Sequence, residues 1–495
     1  MKCAGILMPI SSLPGDYGIG TLGKTSYEFI DFLKKSNLKI WQILPLLPTG
    51  YGNSPYQSCY SSALNHYFID FDLLRKDGLL KKKDYQNIKW FDSVREVNYG
   101  ILFENKLKVL KIAFKRFDKT NKDWLEFLNK GEYKDYAVYM SLKEDNNYQS
   151  FKAWGRYSTY NQAIIDKYAL KNLKKIEFWQ FTQYIFLKQW KNLKEYANES
   201  GIEIMGDMPI YVSEDSVETW KYGKDLFMLD SKGRPTVVAG VPPDAFSKDG
   251  QLWGNPVYDW AKMKENNYKW WSDRINKAFS IYDIIRIDHF RGFDRFFAIP
   301  NGCDTAKSGY WVDGPKFDLF KDKTHLKIVA EDLGVIDEGV EKLISQTGYP
   351  GMRVISFALN KDKTNPHKPS NFDSNKVVYT GTHDNQTMIG YLESVDKSEK
   401  TIFIRELKKQ CKLLKVRCYV KTNEDILKTA INLAFASKGD RVILPYQDVV
   451  GFGDFARINA PSSLSDNNWS FRFLKSDFTN KESKYLRKLV EKYNR

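Results

Sequence analysis

The sequence predicts a (β/α)8 barrel, also called a TIM barrel, with large, mostly helical insertions at the C-terminal face of the barrel. Eight short apolar segments recur along the 495 residues, as buried parallel strands require. Amphipathic segments with apolar residues three and four positions apart separate most of them, and this alternation is typical of an α/β barrel. The strand candidates are residues 5–8, 40–44, 202–205, 284–287, 328–330, 353–357, 377–380 and 442–444, and clear helix candidates are residues 27–35, 338–347 and 424–436.

Uneven spacing between the strand candidates indicates two insertions. Residues 50–200, after the second strand, far exceed the crossover of about a dozen residues that a parallel pair needs. Helical patterns at 101–117 and 178–196 predict a mostly helical subdomain there. Residues 212–280, after the third strand, are rich in Pro and Gly, which predicts a long ordered loop insertion at the barrel mouth. We expect residues 1–495 to form a single catalytic barrel carrying both insertions.

Three strand candidates end in acidic residues. Arg286 and Asp288 lie one pleat apart, so both side chains point to the same side of the fourth strand, and Arg286 is expected to keep Asp288 ionised. Taken alone, this pair is as consistent with a purely structural ion pair as with a functional site. Glu331 and Asp384, however, follow the fifth and seventh strands in the same way. Because catalytic groups collect at the carboxyl ends of barrel strands, we expect the three carboxylates to converge.

Composition limits the possible partners and location. No apolar run is long enough for a membrane span and the N-terminus lacks a signal-peptide pattern, so we expect a cytoplasmic protein without membrane contact. The five cysteines are scattered, as reduced thiols are. A formal charge of +15 raises nucleic acid as a partner, but the lysines are dispersed and the longest run is only 81–83. We therefore expect solvated lysine-rich surfaces and no nucleic acid.

Sequence motifs for other chemistry are missing. The chain has neither a Walker A motif nor a dinucleotide glycine fingerprint. His289 and His383 lie near carboxylates, so a site with two histidines and one carboxylate for a metal is conceivable. Arg286 would compete with a cation beside Asp288, which disfavours that alternative. We predict no metal and no cofactor.

Carboxylates at strand ends, together with aromatic residues in the loops, indicate an enzyme that cleaves glycosidic bonds. A retaining mechanism needs one carboxylate as nucleophile and a second carboxyl as acid and then base, about 5 Å apart. Aromatic rings pack on the C–H faces of sugars, although burial in an ordinary loop is the equally simple explanation for each ring. The candidates are Tyr51, Tyr56, Tyr60, Trp253 and Tyr258.

A series of motifs in order along essentially the full chain resembles the 4-alpha-glucanotransferases of the amylomaltase or disproportionating-enzyme type, a barrel family related to the α-amylases. Together they are far more specific than any one alone. The motifs are Ser11-Ser12-Leu13-Pro14-Gly15, Gly52-Asn53-Ser54-Pro55-Tyr56-Gln57-Ser58, Gly206-Asp207-Met208-Pro209, Pro242-Pro243-Asp244, Leu252-Trp253-Gly254-Asn255-Pro256, Arg286-Ile287-Asp288-His289, Glu331-Asp332-Leu333-Gly334 and Gly381-Thr382-His383-Asp384-Asn385.

The resemblance implies roles for these residues. It makes Asp288 the nucleophile, Glu331 the general acid/base, and Asp384 the carboxylate that holds sugar hydroxyls. It implies α-1,4-glucans and maltooligosaccharides as donors, glucose or a maltooligosaccharide as acceptor, and no cofactor. The residues it implies around the substrate are Arg286, His383, Tyr56, Asp207, Trp253, Ser54 and Asn255. The chain departs from the commonest family pattern at Gln386, often Asp, and at Tyr391, often Trp.

Two other functions remain open at this stage. An α-glucan hydrolase would use the same carboxylates with water as the acceptor. A barrel that only binds glucan or nucleic acid is disfavoured, because binding alone does not require three carboxylates at strand ends. We expect a monomer or a homodimer.

Overall fold

The computed structural model describes residues 2–243, 248–334 and 336–495. The described residues form twelve strands, numbered in chain order. They are β1 (Cys3–Leu7), β2 (Ile40–Gln42), β3 (Glu203–Met208), β4 (Val237–Val241), β5 (Gln251–Pro256), β6 (Ile284–Ile287), β7 (Arg295–Pro300), β8 (Tyr310–Asp313), β9 (Ile328–Ala330), β10 (Gly351–Val354), β11 (Lys376–Tyr379) and β12 (Arg441–Pro445).

The same residues form sixteen α-helices. They are α1 (Lys24–Lys35), α2 (Phe71–Lys76), α3 (Tyr99–Arg116), α4 (Lys122–Lys130), α5 (Lys134–Asp145), α6 (Gln162–Lys171), α7 (Leu173–Glu199), α8 (Val217–Leu226), α9 (Trp260–Glu265), α10 (Lys269–Ile281), α11 (Glu338–Thr347), α12 (Met388–Ser394), α13 (Lys397–Leu413), α14 (Asn423–Ala436), α15 (Tyr446–Val450) and α16 (Asn480–Tyr493).

Eight parallel strands close a barrel in the order β1-β12-β11-β10-β9-β6-β3-β2. Each matches one of the eight strand candidates, so the predicted barrel is confirmed. The sixth strand, β10, lies earlier than predicted, because residues 355–357 leave the sheet as a 3-10 turn. Aliphatic side chains of these strands fill the core, since Ile6, Ile40 and Ile285 are fully buried.

The segment between β2 and β3 holds six helices, α2 to α7. The last, α7, is 27 residues long and buries a face that includes Phe178, Trp179 and Phe181. It packs against α5 of the insertion and α1 of the barrel. This segment is thus mostly helical, and α7 packs on both the other helices of the segment and the barrel. In the described parts of the chain, no helix has the length and apolar character to cross a membrane.

The prediction of a long loop at residues 212–280 is wrong. This segment contains α8, α9, α10 and two strands, and its β4 and β5 join β7 and β8 in an antiparallel sheet of order β5-β4-β7-β8. The glycines that suggested a loop belong to turns and strands; Gly250, for example, has φ +68° immediately before β5. Because β5 carries Trp253 and Asn255, this second sheet reaches the barrel mouth.

Candidate active site

One buried arginine joins the residues of two neighbouring strands. Asp207 of β3 and Arg286 of β6 are direct partners across the ladder, so their side chains lie side by side. Arg286 Nη1 lies 2.6 Å from Asp207 Oδ2, and Arg286 Nη2 lies 2.9 Å from Asp288 Oδ1. The Asp207 and Arg286 side chains are nearly inaccessible, whereas that of Asp288 is 28% exposed. The Asp288 carboxylate is thus oriented from below and open to the barrel mouth.

Glu331 stands beside Asp288 on the next strand. Ile287 pairs with Ala330, so the two acidic residues that follow occupy equivalent positions on strands about 4.8 Å apart. Two backbone N–H groups hold the Glu331 carboxyl: His289 N donates to Oε2 at 2.7 Å and Leu333 N to Oε1 at 2.8 Å. His289 has φ +49°, a left-handed turn that aims its N–H at Glu331. The strand register therefore fixes the nucleophile and acid/base candidates as neighbours.

Burial shifts the pKa of both carboxyls upward. It raises the pKa of Glu331, against the opposing effects of the Arg286 charge and the two backbone N–H groups. Burial, reinforced by the charges of Glu331, Asp207 and Asp384, raises the pKa of Asp288 to about 8, even though Arg286 acts in the opposite direction. The two neighbouring carboxyls therefore hold one proton between them near neutral pH, and the ion pair with Arg286 favours the negative charge on Asp288.

Asp384 approaches from the segment after β11. Its side chain is 39% exposed, and its Oδ2 lies 3.4 Å from His383 Nε2. Asn459 Nδ2 donates to Asp384 Oδ1 at 2.7 Å, and Arg457 Nη2 donates to the Asp384 backbone oxygen at 2.9 Å. Burial lowers the pKa of His383, so the ring is neutral at neutral pH and Asp384 is held by amide and guanidinium groups.

Tyr56 links the loop after β2 to the same network. Its hydroxyl donates to Asp207 Oδ2 at 2.6 Å and lies 3.0 Å from His383 Nε2. The Tyr56 and His383 rings are stacked, with centroids 5.5 Å apart. The Ser54 hydroxyl accepts the Tyr56 N–H at 3.2 Å, so Ser54 shapes the turn that presents Tyr56.

Trp253 and Asn255 enter from β5 of the second sheet. The Trp253 ring meets His289 edge to face at 4.8 Å, which places it next to the segment that binds Glu331. Asn255 Nδ2 donates to the Val212 carbonyl at 2.8 Å, and Gln57 Nε2 donates to Asn255 Oδ1 at 3.2 Å. Asn255 therefore joins β5 to the loop that carries Tyr56.

Among the other aromatic candidates, exposure separates two cases. Tyr258 is 1% exposed and packs among Phe227, Trp260 and Trp271, so it is a core residue. Tyr51 is 74% exposed. Asp244 of the Pro242-Pro243-Asp244 motif lies outside the described residues.

Three site residues were not predicted: Arg457, Asn459 and Trp469. All follow β12, and Trp469 lies 5.7 Å from the Tyr56 ring and 6.0 Å from the His383 ring. None of the three is acidic, so the pattern of acidic residues after strands did not indicate them. Residues 451–461 are rich in Gly, Phe, Asn and Pro, and this composition could have indicated an ordered loop after β12.

The two departures from the family pattern lie beyond Asp384. Gln386 Nε2 donates to Asp454 Oδ2 at 3.2 Å, and Tyr391 donates its hydroxyl to Glu399 at 3.0 Å. Both side chains bind neighbouring segments, so the departures affect local packing. As for metals, the described residues contain no group of three or more His, Cys, Asp or Glu side chains arranged to hold an ion.

Comparison with known proteins identifies the family. The family model described as 4-alpha-glucanotransferase covers residues 8–477. This chain belongs to that family. A 4-alpha-glucanotransferase of Clostridium butyricum is 41% identical over 99% of this chain and 100% of its own. One of Streptococcus pneumoniae is 39% identical over 99% of this chain and 97% of its own.

Solved structures agree with the family assignment. An amylomaltase from Streptococcus agalactiae in complex with acarbose superposes with a TM-score of 0.93 and 38% identity, over 100% of both chains. An amylomaltase from Corynebacterium glutamicum, with a TM-score of 0.79 but 17% identity over 100% of this chain and 75% of its own, supports the fold alone. The predicted family, barrel fold and glycosyl-transferring enzyme class are confirmed.

The raised pKa of Asp288 predicts a pH-dependent cost in stability. An acid whose pKa rises on folding contributes stability at low pH, and that contribution is lost as pH rises from about 4, the unfolded value, through about 8. Asp288→Asn removes this loss. In thermal scans, the melting temperature of the variant minus that of the wild type should therefore become more positive as pH rises from 5 to 8.5.

Asp337, which caps α11, is the matched control. Burial opposes the shift, but the Val340 N–H and the charges of Arg291 and Arg295 lower its pKa. Asp337→Asn should therefore destabilise the protein at neutral pH, with a deficit that shrinks as pH falls. Parallel pH trends for the two variants would contradict the assignment of opposite environments.

Proposed function

We propose that this chain transfers a segment of an α-1,4-glucan to the 4-hydroxyl of glucose or another maltooligosaccharide by a retaining double displacement. One observation carries the mechanism: Asp288 and Glu331 directly follow paired residues of adjacent strands, so the two carboxyl residues are neighbours, as a retaining pair requires. Arg286 fixes one carboxyl and two backbone N–H groups fix the other.

The first step cleaves the donor bond. The raised pKa of the pair supplies one proton near neutral pH, and the ion pair with Arg286 favours placing the negative charge on Asp288 and the proton on Glu331. Asp288 Oδ2 attacks the anomeric carbon as Glu331 protonates the leaving glycosidic oxygen. The donor fragment leaves, and the remaining sugar is held as an ester of Asp288.

The second step forms the new bond. Glu331, now ionised, accepts the proton of the incoming 4-hydroxyl, and the acceptor oxygen displaces Asp288 from the anomeric carbon. The two inversions give net retention and restore both carboxyls to their starting states. The number of glycosidic bonds is conserved, since one is broken and one is formed.

Neighbouring polar groups suit the sugar held between the two steps. Asp207, whose side chain is inaccessible, acts from below this sugar by holding Arg286 and the Tyr56 hydroxyl in place. Asp384, oriented by Asn459, presents its half-exposed carboxylate to other hydroxyls. Tyr56 and His383 form a flat stacked surface beside them.

Transfer, as opposed to hydrolysis, requires an acceptor sugar to reach the ester before water does. Trp253 on β5 packs against His289, the residue whose N–H binds Glu331, so we place the acceptor on this side of the site. Walls from the loop that carries Tyr56 and from the second sheet, joined through Gln57 and Asn255, would limit water there. We also propose that the protein is cytoplasmic, that it is a monomer or a homodimer, and that it has no nucleic-acid partner.

Maltotriose alone separates transferase from hydrolase. A transferase should give glucose together with maltooligosaccharides longer than maltotriose, while total reducing ends stay nearly constant, because transfer conserves glycosidic bonds. Chromatography of the products and a reducing-end assay measure both. Reducing ends that rise in step with substrate loss, without longer chains, would favour the amylase-like alternative.

Catalytic roles are tested by isosteric amides. Asp288→Asn should abolish turnover and Glu331→Gln should lower kcat by roughly two or more orders of magnitude, because each removes a group that acts on the reacting atoms. Asp332→Asn is the matched control: Asp332 binds Met352 N and Arg353, so this change should lower the melting temperature more than kcat. Near-normal turnover in either amide variant would refute its assigned role.

Trp253 is tested through the balance of products. Trp253→Ala should weaken acceptor binding and raise the fraction of ester lost to water, measured as reducing ends per longer chain formed. Trp311→Ala, in the same sheet but stacked on Arg291, should leave that balance unchanged. An unchanged balance in Trp253→Ala would mean that the ring only packs.

A further inference from the structure

Phe455 exposes an aromatic ring next to the catalytic segment. Phe455 is 66% exposed, and among the other described Phe residues only Phe103 on α3 is comparably exposed, at 46%. Phe452 and Phe471 contact the ring at centroid distances of 5.2 Å and 6.0 Å. Two aromatic neighbours thus limit its rotation while much of its surface stays in solvent.

The loop that carries Phe455 is fastened to the residues around Asp384. Asp454 accepts a hydrogen bond from Gln386 at 3.2 Å, two residues beyond Asp384. On the other side of Phe455, Arg457 Nη2 binds the Asp384 backbone oxygen at 2.9 Å, and Arg457 N donates to Asp454 O at 3.0 Å. The exposed ring therefore lies between two residues that are each tied to the Asp384 segment.

Position and chemistry together indicate what would cover this ring. An exposed ring beside a site for glucans offers an apolar face to the C–H face of a glucose unit. Exposed polar groups stand beside it, on Asp454 and Gln386, and suit the sugar's hydroxyls. Trp253, in contrast, packs near His289 and Glu331, on the segments after β6 and β9.

We propose that Phe455 is a stacking platform for a glucose unit of a longer α-1,4-glucan, beyond the sugars at the reacting bond and on the Asp384 side of the site. The Gln386–Asp454 hydrogen bond holds this platform in place. The proposal rests on the proposed function. If Phe455 binds such a unit, the loop after β12 determines how strongly the enzyme prefers longer glucans.

The first experiment measures binding without turnover. In the Glu331→Gln background, calorimetry with maltoheptaose and maltotriose compares Phe455 with Phe455→Ala. A stacking contact of ordinary strength corresponds to about a fivefold weaker Kd for maltoheptaose and a smaller change for maltotriose. Phe455→Trp should restore maltoheptaose binding. Phe103→Ala, which removes a similarly exposed ring on α3, should change neither Kd.

The second experiment uses the active enzyme. Phe455→Ala should raise KM for maltoheptaose more than for maltotriose, with kcat little changed. Gln386→Asp should shift KM in the same direction, because a second carboxylate next to Asp454 would replace the hydrogen bond with repulsion. Thermal scans of each variant separate a local change from loss of the fold.

The outcomes are distinct. Equal effects on both substrates, no effect on either, or failure of Phe455→Trp to restore binding would overturn the platform. If the wild type made no longer chains from maltotriose but still bound maltoheptaose through Phe455, the transferase proposal would fail while the platform stood. If Phe455→Ala loses stability, Phe455→Leu decides, because it keeps an apolar side chain against Phe452 and Phe471 but removes the ring: maltoheptaose binding at the wild-type level in that variant would overturn the platform.

Discussion

Arg286 is the constraint on which the site depends. A buried guanidinium loses its hydration, and this cost is offset only when several partners surround it with good geometry. Asp207 and Asp288 supply that geometry because β3 and β6 set them at fixed positions beside the arginine. Loss of Arg286 would leave the buried Asp207 and the partly exposed Asp288 without a cation, so orientation of the proposed nucleophile and integrity of the barrel mouth share one interaction.

Other parts of the site attach to this centre by hydrogen bonds. Tyr56 reaches Asp207 from the loop after β2, and Asn459 reaches Asp384 from the loop after β12. Trp469 packs against Tyr56 and so brings these two loops together. Segments that are hundreds of residues apart thus meet at one mouth, because parallel strands of a closed barrel deliver all their carboxyl ends to the same face.

The sequence predicted features whose signal is local. Most barrel strands contain a short apolar run, and acidic residues stand out after three of them: Asp288 and Glu331 immediately, and Asp384 a few residues later. The second sheet was missed because its strands are separated by turns whose Gly and Pro dominate the pattern. Asn459 and Trp469 were missed because their function arises from contacts with residues far away in the chain, which periodicity does not report.

The pKa of Asp288 could not be predicted for a related reason. From the sequence, the adjacent Arg286 favours the ionised form, and the net charge of +15 points the same way. Surface lysines, however, act through water, where salt screens them over about 8–10 Å. Burial and neighbouring carboxylates act within a few ångströms and without that screening, so they outweigh both the distant lysines and the shared arginine. The protein can therefore be strongly basic as a whole and still keep a proton on the carboxyl pair proposed to catalyse the reaction, which is the state that general acid catalysis requires.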